Sequence, residues 1–395
     1  MNLSPENFPP RPAWIEVDLG KLSRNLRLIR RDLPGNVNLL AVVKDEAYGH
    51  GALDVARVAV REGAWGFGLS TLEEALHLRA GGITAPLLLL GERREAELEW
   101  CVAHDLTVCV NEPHNVRALA KIAAQLGKKV PVHLKIHTGM SRYGVRWDEA
   151  LPLIEKILAE KSLSLEGVMT HFSQSDETDK TFAQLQFSRF SEILTALQQQ
   201  NISVKLRHAC NSGGFLDLPQ AHLDMVRTGI LLYGIFPSQT CRQIPGIEPV
   251  MAVKAKISAI QKLKPGEVVG YAMRYTAQTP RRIAILPIGY GDGFPRVRNE
   301  GCALICGQRA PLVGGVAMDA LMVDITNIPQ AEMWDEAVLM GKQGNDEITV
   351  RELATLKRSV TYDVLTSWRL RLRRKTVNSH HQPGSPMEIC GSTKL

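Results

Sequence analysis

Short apolar runs alternate with amphipathic stretches through the first two-thirds of the chain. The runs at 39–44, 66–70, 87–91, 106–110, 132–137, 165–171, 205–211 and 224–227 read as strands. Helix-like stretches lie between them, among them 71–80, 113–126, 147–159 and 179–199, with Thr71 as an N-cap before Glu73 and Glu74. Strands separated by helical patterns of this length predict repeated βαβ units and a parallel sheet. Eight strands over about 230 residues fit a (β/α)8 TIM-type barrel, which typically takes ~250. An open doubly wound sheet is the alternative, but no G-x-G-x-x-G turn follows its first strand.

After about residue 245 the texture changes. Short β-like runs at 251–260, 282–287, 302–305, 309–313, 321–325 and 337–340 are separated by Pro-Gly, Gly-Asp-Gly and Gly-Asn turn signals. The chain is therefore α/β, divided into a tail at 1–11, a barrel at 12–245, a smaller, mostly β domain at 246–377, and a polar tail at 378–395 expected to be disordered.

Composition narrows the function classes. A net charge of +6 spread over 395 residues is too slight for a nucleic-acid binder. No apolar run has transmembrane length, and the N-terminus lacks the apolar core of a signal peptide, so no membrane role and a cytoplasmic location are expected. The seven cysteines are odd in number and scattered. Cys302 and Cys306 are four apart, but nothing nearby completes a zinc set, so no metal is expected.

Barrel enzymes place their chemistry at the C-terminal ends of the strands. Lys44, His137, His171, Asn211, Ser212 and Arg227 all fall at expected strand ends. A lysine directly after Leu39-Leu40-Ala41-Val42-Val43 is partly desolvated, which lowers its pKa and favours imine chemistry. Taken singly, each residue has a plainer reading. Lys44 could snorkel to the barrel mouth, Arg227 could form an edge salt bridge, and the histidines could be structural. The turns at 212–214 and 228–229 could present backbone N–H groups to a phosphate.

Ala41-Val42-Val43-Lys44-Asp45-Glu46-Ala47-Tyr48-Gly49-His50-Gly51 resembles the cofactor-lysine motif of bacterial alanine racemases. The same family order continues through His137-Thr138-Gly139-Met140-Ser141-Arg142, Thr170-His171-Phe172, Asn211-Ser212, Val226-Arg227-Thr228-Gly229-Ile230, Pro287-Ile288-Gly289-Tyr290-Gly291-Asp292-Gly293 and Met318-Asp319. The resemblance implies a pyridoxal 5'-phosphate enzyme in which Lys44 carries the cofactor. Tyr48, Asn211, Ser212, the backbone of Gly229 and Ile230, and Tyr362 would hold it. Arg227 would face the pyridine nitrogen, and His171 would link Arg227 to a tyrosine base. Lys44 and Tyr271 would serve opposite faces of Cα, with Tyr271 coming from the partner of a homodimer with shared sites. Arg142 and Met318 would bind the carboxylate of a small amino acid, with Tyr290 and Asp319 completing the substrate set. Lys135 matches a position carbamylated in some relatives.

Four departures stand out. His137 replaces a usual aspartate, Gly315 an arginine, Asp45-Glu46 a usual Ala-Asn or Ala-Asp, and Arg369-Leu370-Arg371-Leu372-Arg373 a usual Arg-Val-Pro-Arg. They bear on specificity more than on reaction type. Two rival readings are a broader racemase acting on serine or other amino acids and a non-enzymatic cofactor carrier.

Overall fold

A computed structural model describes residues 9–378. Eight parallel strands form the first body: β1 (Asn38–Val42), β2 (Gly66–Leu69), β3 (Leu87–Leu89), β4 (Thr107–Val110), β5 (Val130–His137), β6 (Leu163–Met169), β7 (Leu206–His208) and β8 (Met225–Thr228). They pair in the order β8-β1-β2-β3-β4-β5-β6-β7. Two backbone bonds near the seam, Asp224 N–H to Arg207 O at 3.0 Å and Arg227 N–H to Cys210 O at 2.9 Å, bring β7 and β8 together and nearly close the barrel. Strands covered on both faces read as unbroken apolar runs, which is why these segments were visible in the sequence. The barrel interior is filled by Leu40, Leu88, Cys109, Met169, Leu206 and Met225. The outer helices carry the expected signals, including a capping box at Thr71 and Glu74.

The second body is β-rich. Its main sheet runs Gln308–Pro311, Cys302–Ile305, Glu336–Gln343, Met251–Lys256, Ala13–Asp18, Arg373–Val377. The expectation that everything from residue 12 to 245 builds the barrel is corrected here. Ala13–Asp18 sits inside the β-domain sheet, antiparallel to Met251–Lys256 and parallel to Arg373–Val377. Its alternating burial suits a sheet with one face packed and one face open, unlike the barrel strands. The run 251–260 also divides. Ile257 N–H turns to Asp335 O and Ser258 N–H to Ile285 O, which sends Ala259–Leu263 into a separate three-stranded sheet with Arg281–Leu286 and Leu321–Asp324. Arg11, placed in the N-terminal tail, pairs with the buried Asp292 at 2.7 Å. The tail expected at 378–395 lies outside the described residues except for residue 378. Among the described residues no helix is long and apolar enough to cross a membrane.

Candidate active site

β1 ends at Val42, and Lys44 opens a short turn rather than closing the strand. Asp45, Glu46, Ala47 and Tyr48 all have φ of 53–54°. This is a left-handed turn of four non-glycine residues, at about 1–2 kcal/mol each. Its surroundings hold it in place. The Glu74 carboxylate accepts the N–H of Asp45 at 2.6 Å, Ser70 at 2.8 Å and Thr71 at 3.2 Å. Arg374 Nε donates to Gly49 O at 2.6 Å, and the Tyr48 ring lies 5.0 Å from Tyr233 and 6.2 Å from Tyr362. Such strain at a strand end, fixed by surrounding contacts, is the usual signature of a functional turn. Burial, then the nearby Arg142 cation, hold the Lys44 amine below its ordinary pKa.

Arg227, on β8, is 2 % exposed. Its guanidinium donates to Thr170 O at 2.7 Å, Ala209 O at 2.9 Å, His208 Nδ1 at 3.0 Å and His171 Nδ1 at 3.1 Å. Both histidines must offer lone pairs to it, so both are neutral. Burial and the Arg227 charge push their pKa values well down. His208 Nε2 is 2.8 Å from His133 Nδ1, and His133 Nε2 is 3.5 Å from the Glu166 carboxylate. Among the described residues no carboxylate pairs with Arg227 directly. Burial alone pushes its pKa down to about 10, which leaves it charged at neutral pH.

A third group lies at the ends of β7 and β8. Asn211 Oδ1 accepts from Gly214 N–H at 2.9 Å and caps the short helix Ser212–Asp217. Ser212 Oγ accepts from Gly229 N–H at 3.1 Å. A Cβ on Gly229 would meet the Tyr48 hydroxyl at 2.5 Å, so this position needs glycine for close approach. Burial raises the Tyr48 and Tyr362 phenols, which therefore stay protonated donors.

One cavity of about 760 Å³ unites these groups. Lys44, Tyr48, Lys135, Arg142, His171, Asn211, Ser212, Arg227, Gly229, Ile230 and Tyr362, all expected site residues, line it. The remaining four do not. Tyr271 is 81 % exposed and Met318 55 % exposed, with Asp319 exposed and Tyr290 half-buried. Met318 and Tyr290 line an adjoining cavity of about 700 Å³, which shares Asp45 with the first. His208, His133 and Glu74 were not singled out in the sequence. The inward alternation of Leu206–His208 and the Thr71–Glu74 capping box were the available signals for His208 and Glu74. Lys135 Nζ donates to Leu90 O at 2.8 Å, and burial leads the effects that push its pKa down to about 8.

Residues 17–237 match the family model for the alanine racemase N-terminal domain, and residues 250–376 the one for the C-terminal domain. An alanine racemase of Carboxydothermus hydrogenoformans is 40 % identical over 366 residues, covering 92 % of this chain and 99 % of that one. Among solved structures, an alanine racemase of Clostridium difficile superposes with a TM-score of 0.90 at 32 % identity, covering 94 % of this chain and 97 % of that one. A histidine racemase of Leuconostoc mesenteroides superposes with a TM-score of 0.84 at 29 % identity, covering 94 % of this chain and all of its own.

Proposed function

The chain belongs to the alanine racemase family and interconverts L- and D-alanine, and we propose that it does so with two bases on opposite faces of Cα, Lys44 and the Tyr271 of a second copy. The observation that carries this reading is the convergence of the pKa-lowered Lys44 with Arg142 and Arg227 in one cavity, while Tyr271 faces outward from the same chain.

The residues present fit pyridoxal 5'-phosphate. The Gly229 approach that a Cβ would fill, the protonated Tyr48 and Tyr362 hydroxyls and Ser212 suit a phosphate, with Asn211 and the Ile230 backbone beside it. Lys44 would hold the aldehyde covalently. Bound there, the group would supply an electron sink that acidifies the substrate Cα–H.

Arg227 stays cationic, and set against the ring nitrogen of the bound group it would oppose protonation there and moderate the sink. Its charge is set by neutral partners rather than by an ion pair. Arg142 takes the substrate carboxylate, for which a guanidinium fork is suited, with the Met318 N–H and Asp319 completing the substrate set. Lys44 Nζ removes or returns the proton on one face. The Tyr271 hydroxyl of the partner subunit serves the other face, with His171 linking it to Arg227. Tyr290 and Tyr362 narrow the space around the substrate side chain and favour a methyl group over a larger one. Lys135, with its amine neutral above about pH 8, is disposed to take up CO2 as a carbamate that braces Arg142. Six cysteines among the described residues are free thiols, which suits a reducing cytoplasm.

Incubation with L-alanine in deuterated water tests this reading. Conversion to D-alanine with deuterium entering at Cα is expected. Exchange on serine or histidine in preference to alanine would transfer the reading to a broader racemase.

A further inference from the structure

The side chain of His137 is engaged by the backbone of the turn it introduces. Its Nδ1 accepts the N–H of Gly139 at 3.2 Å and of Ser141 at 3.1 Å, and its Nε2 lies 3.4 Å from Ser141 Oγ. Ser141 sits at φ 55° and Gly139 at φ 155°, so the turn takes a shape the backbone rarely adopts unaided. Arg142 follows Ser141 directly. From this geometry we infer that neutral His137 is a positioning residue that folds the 138–142 turn and so sets Arg142 against the substrate carboxylate.

The inference rests on the role proposed above for Arg142. Two backbone N–H groups point at one ring nitrogen, so that nitrogen must carry a lone pair and the ring proton must sit on Nε2. A proton added at Nδ1 would replace two acceptor contacts with two donor–donor clashes. An aspartate in the same place would offer carboxylate oxygens to the same two N–H groups.

Charged and titratable groups face His137 from several elements. Lys135 lies on its own strand, Arg142 and Tyr143 on the turn, and His171 at the end of β6. Arg146 is its register partner, and that arginine already holds Asp148 at 2.7 Å. Arg189, from the helix Thr181–Gln199, donates to Thr138 O at 2.8 Å and braces the other side of the turn. The turn, and with it Arg142, is therefore held in place by the lone pair that Nδ1 offers to two backbone N–H groups.

The test compares the intact enzyme with His137→Asp and His137→Phe. His137→Phe should raise KM for alanine roughly 3- to 10-fold with kcat changing less, the scale of one net hydrogen bond. The inhibition constant of propionate, a carboxylate without the amine, should rise in parallel. His137→Asp, which can still accept the two N–H groups, should stay close to the wild type in both. 15N NMR of histidine-labelled protein should show His137 with its proton on Nε2 and a bare Nδ1, a readout independent of turnover. An unchanged KM and propionate constant in His137→Phe, or a protonated Nδ1 at pH 8, would overturn the inference on an enzyme that still racemises. Absence of any alanine racemisation would overturn the functional reading and this inference together.

Discussion

At the barrel rim the turn that carries Lys44 and the Arg227 guanidinium are each held from several sides. Lys44 rides on a turn clamped by Glu74 and Arg374, and Arg227 is fixed by two histidines and two carbonyls. The outer face of the β-domain is the opposite. Tyr271, Met273 and Met318 stand 81 %, 68 % and 55 % exposed, on backbone where Ala272 and Met273 adopt left-handed φ. Scattered exposed apolar residues are ordinary, but large ones beside a strained turn suit a contact surface. The contrast separates two tasks. In the proposed reading, binding is prearranged within one chain, whereas Tyr271, the second base of that reading, is displayed outward for another chain to use.

Removing Lys44 tests the prearranged half most severely. Lys44→Ala should abolish covalent cofactor attachment, read as loss of its visible absorbance, and lower turnover by on the order of 10⁴. Tyr271→Phe should leave the absorbance intact and slow one direction of proton transfer by about 10²–10⁴. Mixing the two inactive variants then decides whether the halves belong to different chains. In a twofold dimer one site of each mixed dimer keeps both bases, so about a quarter of wild-type activity should return. No recovery after subunit exchange would place both bases in one chain.

A smaller effect is expected at Arg142. Arg142→Ala should raise KM roughly 10- to 150-fold, the range for a hydrogen bond to a charged group, with a lesser change in kcat. The smallest concerns Lys135. Its folded pKa lies near 8 against 10.5 for the free side chain, so between those values the unfolded chain binds more protons. In CO2-free buffer, thermal stability should therefore gain a contribution from this residue as pH rises from about 8 to 10.5. Lys135→Met should remove that contribution, and an identical pH slope in both proteins would show that Lys135 is not titrating.

The barrel strands were legible because burial on both faces writes continuous apolar runs, whereas Lys44 and Arg227 could be placed near strand ends but took their roles only from the family resemblance, since each taken singly has a plainer reading. Three features were hidden for physical reasons. The left-handed turn at Asp45–Tyr48 contains no glycine or asparagine, and its conformation is imposed by distant Glu74 and Arg374. The His208–His133–Glu166 buttress joins three strands through side chains that look unremarkable one by one. Ala13–Asp18 carries an ordinary alternating pattern, and nothing local reveals that its partners are Met251–Lys256 and Arg373–Val377.

That N-terminal strand imposes an order on synthesis. The barrel can close while the ribosome is still translating the second body, since all eight of its strands lie between Asn38 and Thr228. The strand made first must wait beside it, with Trp14 to Asp18 unpaired on one edge until Arg373 to Val377 have been polymerised. Separate expression of the two halves therefore deprives the second of an interior strand, and a nascent chain stalled before residue 373 presents a bare sheet edge open to chaperones or to aggregation.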